Sequence, residues 1–293
     1  MSKIKVITVV ALVAVMSAGM FSACKKDGVY NPKKKISKIY EQNDNGEKEL
    51  SETWTWDGNK LARIDYANGN FNVFEYEKDR LINITDRNGN YQKYVYDGSK
   101  IDKIQEWSKD GSVLYMEYKF EYKGNKISKI TTESSIDFGD FDDMYMETSS
   151  KSQKSNALRF VLPEQIADIA STELKNNLKS QKALGTISIT MELTWKGNNI
   201  EKATLTNSTL NIPISTQFTY DNKSNPMYGF LTGETVGTTS KNNPKKVTIT
   251  IAGMPMAEQN YSYEYDGNFP TKITATQTSD AETETSVGYI EYK

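Results

Sequence analysis

The chain has 293 residues, with 36 basic and 38 acidic side chains and a formal net charge of −2. Such a balance argues against nucleic acid as a partner. The absence of histidine removes Ser-His-Asp and Cys-His catalysis and the usual zinc ligands.

The first element is an export signal. Lys3 and Lys5 precede an apolar run from Val6 to Met16, and small residues lead into Phe21, Ser22, Ala23 and Cys24. This run is too short and wrongly flanked to span a membrane as a helix. Its end resembles a bacterial lipobox, with Phe21 where Leu is usual. Cys24 is the only cysteine, and a lone cysteine in an exported protein has no disulfide to form. Residues 1–23 are therefore expected to be a lipoprotein signal peptide, cleaved after Ala23, with lipid attached to Cys24. Residues 24–35 form a Lys-rich tether. Without the leader, 34 basic side chains face 38 acidic ones, a net charge of −4.

From residue 36 a phrase recurs. "WDGNKLARI" (56–64), "YEKDRLINI" (76–84) and "YDGSKIDKI" (96–104) begin 20 residues apart. "YKGNKISKI" (122–130), "WKGNNIEKA" (195–203) and "YDGNFPTKI" (265–273) follow the same grammar. Aromatics alternate with polar residues before each turn, as in Trp54 and Trp56 or Tyr261, Tyr263 and Tyr265. A period of two predicts strands with one buried face. Asp-Gly and Gly-Asn supply the positive φ that tight hairpins need. A second series of turns, Asn45-Gly46, Asn68-Gly69, Asn88-Gly89 and Asp110-Gly111, falls between the first. The chain must then run up and down as antiparallel hairpins. Within the phrase, the apolar residues at five and eight places after the aromatic have opposite parity. A β-bulge between them would turn both toward the aromatics.

Between 134 and 186 this grammar breaks. A Ser/Lys-rich stretch precedes an expected amphipathic helix from about 163 to 182, opened by Pro163 and stopped by Gly185. Ile166, Ile169, Ala170, Leu174 and Leu178 form its apolar stripe. Strand grammar then resumes, for roughly 15–17 strands. The predicted fold is all-β: a large antiparallel meander or up-and-down barrel-like sheet, one domain over 36–293, with a loop and helix inserted at 134–186. The phrase resembles the YD repeats of bacterial surface and toxin shells. The whole arrangement resembles a Bacteroidetes lipoprotein family of unknown function with a porin-like fold. That resemblance implies a large antiparallel sheet or barrel and no established activity.

Candidate sites are few. Asp137, Asp140, Asp142 and Asp143 read as a solvated loop. Glu41, Asn43, Asn45, Gly46 and Glu52 have calcium-loop spacing, but strand flanks favour a hairpin turn, so no metal or other cofactor is expected. Most aromatics are committed to the core. Tyr66, Trp107 and Tyr228 fall outside the repeat's buried positions and are the candidates for stacking on a ligand. A transmembrane barrel is disfavoured, because the face opposite the aromatics carries Glu and Lys where a lipid-facing strand is apolar. The expected function is a non-catalytic, lipid-anchored binding or assembly module of the cell envelope, on either side of the outer membrane. A glycan-binding accessory of a nutrient-uptake system and a carboxylate-based glycan hydrolase remain the alternatives. The expected partners are a membrane, through the anchor, and a glycan or an envelope protein.

Overall fold

In the computed structural model, residues 29–134, 187–207, 213–230, 240–279 and 282–293 are described. The signal segment, Cys24, the expected helix at 163–182 and most of the 134–186 insertion lie outside them. The strands are β1 (Ile36–Gln42), β2 (Lys48–Asp57), β3 (Lys60–Tyr66), β4 (Phe71–Glu77), β5 (Arg80–Asp86), β6 (Tyr91–Asp97), β7 (Lys100–Trp107) and β8 (Leu114–Lys123). They continue with β9 (Lys126–Ser134), β10 (Ile187–Lys196), β11 (Asn199–Asn207), β12 (Ile214–Ser224), β13 (Asn242–Ile251), β14 (Met254–Asp266), β15 (Phe269–Ser279) and β16 (Glu282–Tyr292). Each strand pairs with its sequence neighbours, and β1 also pairs antiparallel with β16. The result is a closed up-and-down barrel.

The two series of turns sort to opposite ends. The repeat's tight turns, such as Gly58-Asn59 and Gly98-Ser99, sit at the end where the N-terminal segment enters; this is the entry end. Their first residue needs positive φ, which Gly98 adopts at 56°. Lys78 takes the same place in the second copy, also at 56°, a conformation that costs a side-chain-bearing residue about 1–2 kcal/mol. The Asn-Gly series forms wider turns at the far end.

The bulge is present in all six copies. Thr55 pairs with Arg63 and Trp56 with Leu61, so Ala62 has no partner. Ile82, Asp102, Ser128, Glu201 and Thr271 are skipped in the same way. The extra residue restores parity, and Ile101 and Ile104 both become fully buried at 0% exposure.

Bulging also explains why the first aromatic of the phrase is Tyr or Trp. The Tyr96 hydroxyl donates to the Leu81 carbonyl (2.5 Å) and Tyr122 to Ile101 (2.9 Å), and in β12, outside the six copies, Tyr220 does the same to Ile200 (2.7 Å). The Trp195 indole reaches the Ile127 carbonyl at 2.7 Å. Each ring thus bonds the carbonyl just before a bulge on an earlier strand. Phe could not do this, because it has no donor. Phe74, Phe120 and Phe218 stand two residues earlier in their strands, where no such bond is made.

At the entry end, aromatic side chains fill the interior. Tyr30, from the segment before β1, packs on Phe230 with ring centroids 5.0 Å apart. Its hydroxyl donates to the Pro226 carbonyl at 2.8 Å. Trp54 lies 5.4 Å from Phe230, and Phe74 lies 6.0 Å from it. A wall of sixteen strands is wide enough for an aqueous lumen, yet here the rings occupy it. Outside, the wall is charged. Lys119 pairs with Glu133 (2.8 Å), Lys129 with Glu121 (2.7 Å), Lys246 with Glu258 (2.7 Å) and Lys272 with Glu264 (2.8 Å).

Candidate functional site

Two residues before the aromatic pair of each early copy, the inward position turns polar: Glu52, Asn72 and Gln92. Their directly facing partners are Tyr66, Asp86 and Glu106. The 20-residue repeat places each of these partners ten positions after the aromatic that opens its phrase. A polar inner layer therefore runs along β2 to β7, above the apolar layers and toward the far end.

Side chains within the layer hold one another. The Trp54 indole donates to Glu52 Oε2 at 2.7 Å, and Glu52 is only 4% exposed. Asn72 Nδ2 donates to the Tyr66 hydroxyl at 3.1 Å. Gln92 Nε2 donates to Glu106 Oε1 at 3.1 Å, and the Tyr118 hydroxyl donates to the same oxygen at 3.3 Å. Asp86 is used at the rim: Oδ1 accepts the Asn90 backbone N–H at 2.9 Å. On the opposite wall, buried Gln259 accepts from the Tyr261 hydroxyl at 2.6 Å. Thr216 is fully buried, and its Oγ1 makes no hydrogen bond.

The layer mixes carboxylates, amides and phenols. Such a set donates and accepts toward hydroxyl-rich ligands and disfavours anions. Glu52 and Glu106 stand five strand steps apart, about 24 Å along the wall at the usual strand spacing. Among the described residues, no group of three or more acidic side chains is arranged to hold a metal ion. In the segment with calcium-loop spacing, Asn43 Oδ1 instead accepts the backbone N–H groups of Asn45 and Glu47, at 3.0 and 2.9 Å. Glu52 faces the barrel interior, so those residues form a hairpin turn with no common cation position. The asparagine is a turn-forming residue here.

The three candidate aromatics are not brought together. All three are half-buried. Tyr66 belongs to the inner layer, whereas Trp107 has the parity of the outer face and is paired with Tyr91. Tyr228 lies at the entry end, in the turn after Pro226. Trp107 Nε1 is buried and makes no hydrogen bond. Sequence reading missed Asn72, Gln92 and Glu106, and placed Glu52 only in a calcium-loop spacing. The signal was present: the same parity, continued one step beyond the aromatics in three successive copies.

No family model matches the sequence, and no curated protein matches it. Solved structures do match in shape. A porin-like protein from Bacteroides vulgatus aligns over 89% of this chain and 99% of its own, with a TM-score of 0.52 at 12% identity. A porin-like protein from Bacteroides uniformis aligns over 92% and 100%, with a TM-score of 0.51 at 9% identity. The fold is shared. At these identities the likeness extends to the barrel architecture and not to any ligand.

Proposed function

We propose that this chain is a non-catalytic, lipid-anchored protein of a bacterial cell envelope whose barrel is a binding or assembly module. The outer wall carries the reading. Lys119, Lys129, Lys246 and Lys272 point away from the core in cross-strand ion pairs. On a lipid-facing barrel wall, each such lysine would cost about 2–4 kcal/mol near the bilayer centre. The barrel therefore lies in the aqueous phase, and attachment falls to Cys24. Two or more acyl chains give stable anchoring where a single chain is marginal.

The expected result is that Cys24→Ala moves the protein from membrane to soluble fractions or stalls its processing. Full membrane retention of the variant would overturn the anchored reading.

The inner polar layer favours a glycan as the ligand, with Tyr66 the candidate aromatic that lies within it. A glycan array probed with the purified chain should then return hits that weaken in Asn72→Ala and Gln92→Ala. An array with no hits would leave an envelope protein as the partner. Release of reducing sugar, abolished in Glu52→Gln, would replace the binding reading with hydrolysis.

A further inference from the structure

The tight-turn end of the barrel is strongly basic. Among the described residues, its turns with the strand residue on either side, the segment before β1 and the C-terminal Lys293 hold twelve lysines and arginines against five Asp and Glu side chains. Among the described residues, the corresponding positions at the far end hold three basic and five acidic residues. The whole chain is slightly acidic, so its charge is segregated along the barrel axis.

Five cations of this rim are held by backbone carbonyls. Arg80 Nη1 donates to the Gly98 carbonyl at 2.7 Å and Lys100 Nζ to the Gly124 carbonyl at 2.6 Å. Lys60 and Lys126 reach the carbonyls of Lys78 and Gly197 in the same manner. Lys35 donates to the Gly58 carbonyl at 2.5 Å. Each of these side chains also lies over an aromatic ring; Lys100, for example, is 4.7 Å from the Tyr122 centroid. A carbonyl or a ring fixes a cation in place without cancelling its charge. Among the described residues of this rim, only Lys34 and Lys60 meet a carboxylate, Asp266 and Asp79 respectively. The lysines of the outer wall, by contrast, are paired with Glu. Lys33, Lys78, Lys123 and Lys196 are exposed on the same rim.

We propose that this basic rim is a membrane-docking surface that binds the phosphate headgroups of anionic phospholipids. The inference rests on the anchored reading for which surface the rim meets. Only five peptide steps separate Cys24 from Val29, a reach of at most about 17 Å. A lipid on Cys24 would hold the rim within about two Debye lengths of the headgroups at physiological ionic strength. Exposed lysines at that distance add attraction to an anionic leaflet. The acidic far end and the inner polar layer then face away from the membrane, toward a ligand in solution.

The test separates docking from anchoring. The mature chain from residue 24 carrying Cys24→Ala, which cannot be acylated, is sedimented with vesicles of phosphatidylglycerol and phosphatidylcholine in equal parts, and with phosphatidylcholine alone. It should bind the first and not the second, and lose binding in high salt. Replacing Lys33, Lys78, Lys123 and Lys196 by Gln leaves every carbonyl-bound cation in place and should weaken binding about tenfold or more. Neutralising Lys48, Arg87 and Lys109 at the far end should change nothing. Equal retention on both vesicle types would overturn the proposal. So would an unchanged affinity of the four-lysine variant with its melting temperature intact. Displacement by millimolar inorganic phosphate would assign the rim to a free anion and also overturn it. The mass of wild-type protein extracted from envelopes reports acylation of Cys24 independently: a chain without acyl groups that still binds headgroups loses the anchor and keeps the surface.

Discussion

Tyr122 illustrates how one atom decides a residue type. Its ring is half-buried beneath Lys100, and its hydroxyl satisfies the Ile101 carbonyl at 2.9 Å. Tyr122→Phe keeps the ring and removes that hydrogen bond, which should cost about 0.5–1.5 kcal/mol. A domain of this size would then melt roughly 1–6 °C lower; an unchanged melting temperature would show that water replaces the hydroxyl. The tyrosines also set an alkaline limit. Burial pushes Tyr76 up to about 12 and raises Tyr220, Tyr261, Tyr263 and Tyr292 further above the ordinary value. A folded-state value above the unfolded one means stability that is intact below pH 10 and lost as the pH rises past it, because the unfolded chain ionises first. Tyrosinate absorbance and loss of the β circular dichroism signal should therefore rise together between about pH 10 and 12. Smooth ionisation near 10 with the signal retained would contradict that burial.

Among the elements, the bulged hairpin is the unit of construction. Its length matters more than the identity of its extra residue. Asp102 is exposed and unpaired in the ladder, so Asp102→Ala should stay within about 0.5 kcal/mol. Deleting Asp102 should instead move Ile104, fully buried at present, onto the outer face. Removing that burial alone costs about 1.5–3 kcal/mol, and everything beyond it in β7 changes face as well. Comparing the two variants by urea denaturation checks this, and equal midpoints would mean that the hairpin re-registers without penalty. The bulge was legible in the phrase itself, because Ile-x-Lys-Ile cannot bury both isoleucines on a regular strand. The inner polar layer was not read. A polar residue one step past an aromatic pair looks like the approach to a turn, and only the neighbouring strands place Glu52 inside.

The whole molecule depends on one long-range seam. Ile39 pairs with Ile290 on one side and Glu52 on the other, so β1 closes the barrel. A chain lacking residues 29–42 would expose the edges of both β2 and β16. Unpaired edges recruit other chains, and this truncation should elute as oligomers or aggregate; a well-folded monomer would show that closure is dispensable. Turns, strands, the buried face and the bulge were all determined within windows of about twenty residues, because period-two burial and positive-φ turn chemistry are local properties. Closure was left to the tertiary structure. It depends on the summed twist and stagger of sixteen strands, which bring Ile36 beside Tyr292. The aromatic filling of the entry end is also tertiary, since Tyr30 and its acceptor at Pro226 are 196 residues apart. So is the basic rim: its lysines are spread along the sequence among carboxylates, and only alternating strand direction gathers one series of turns at one end.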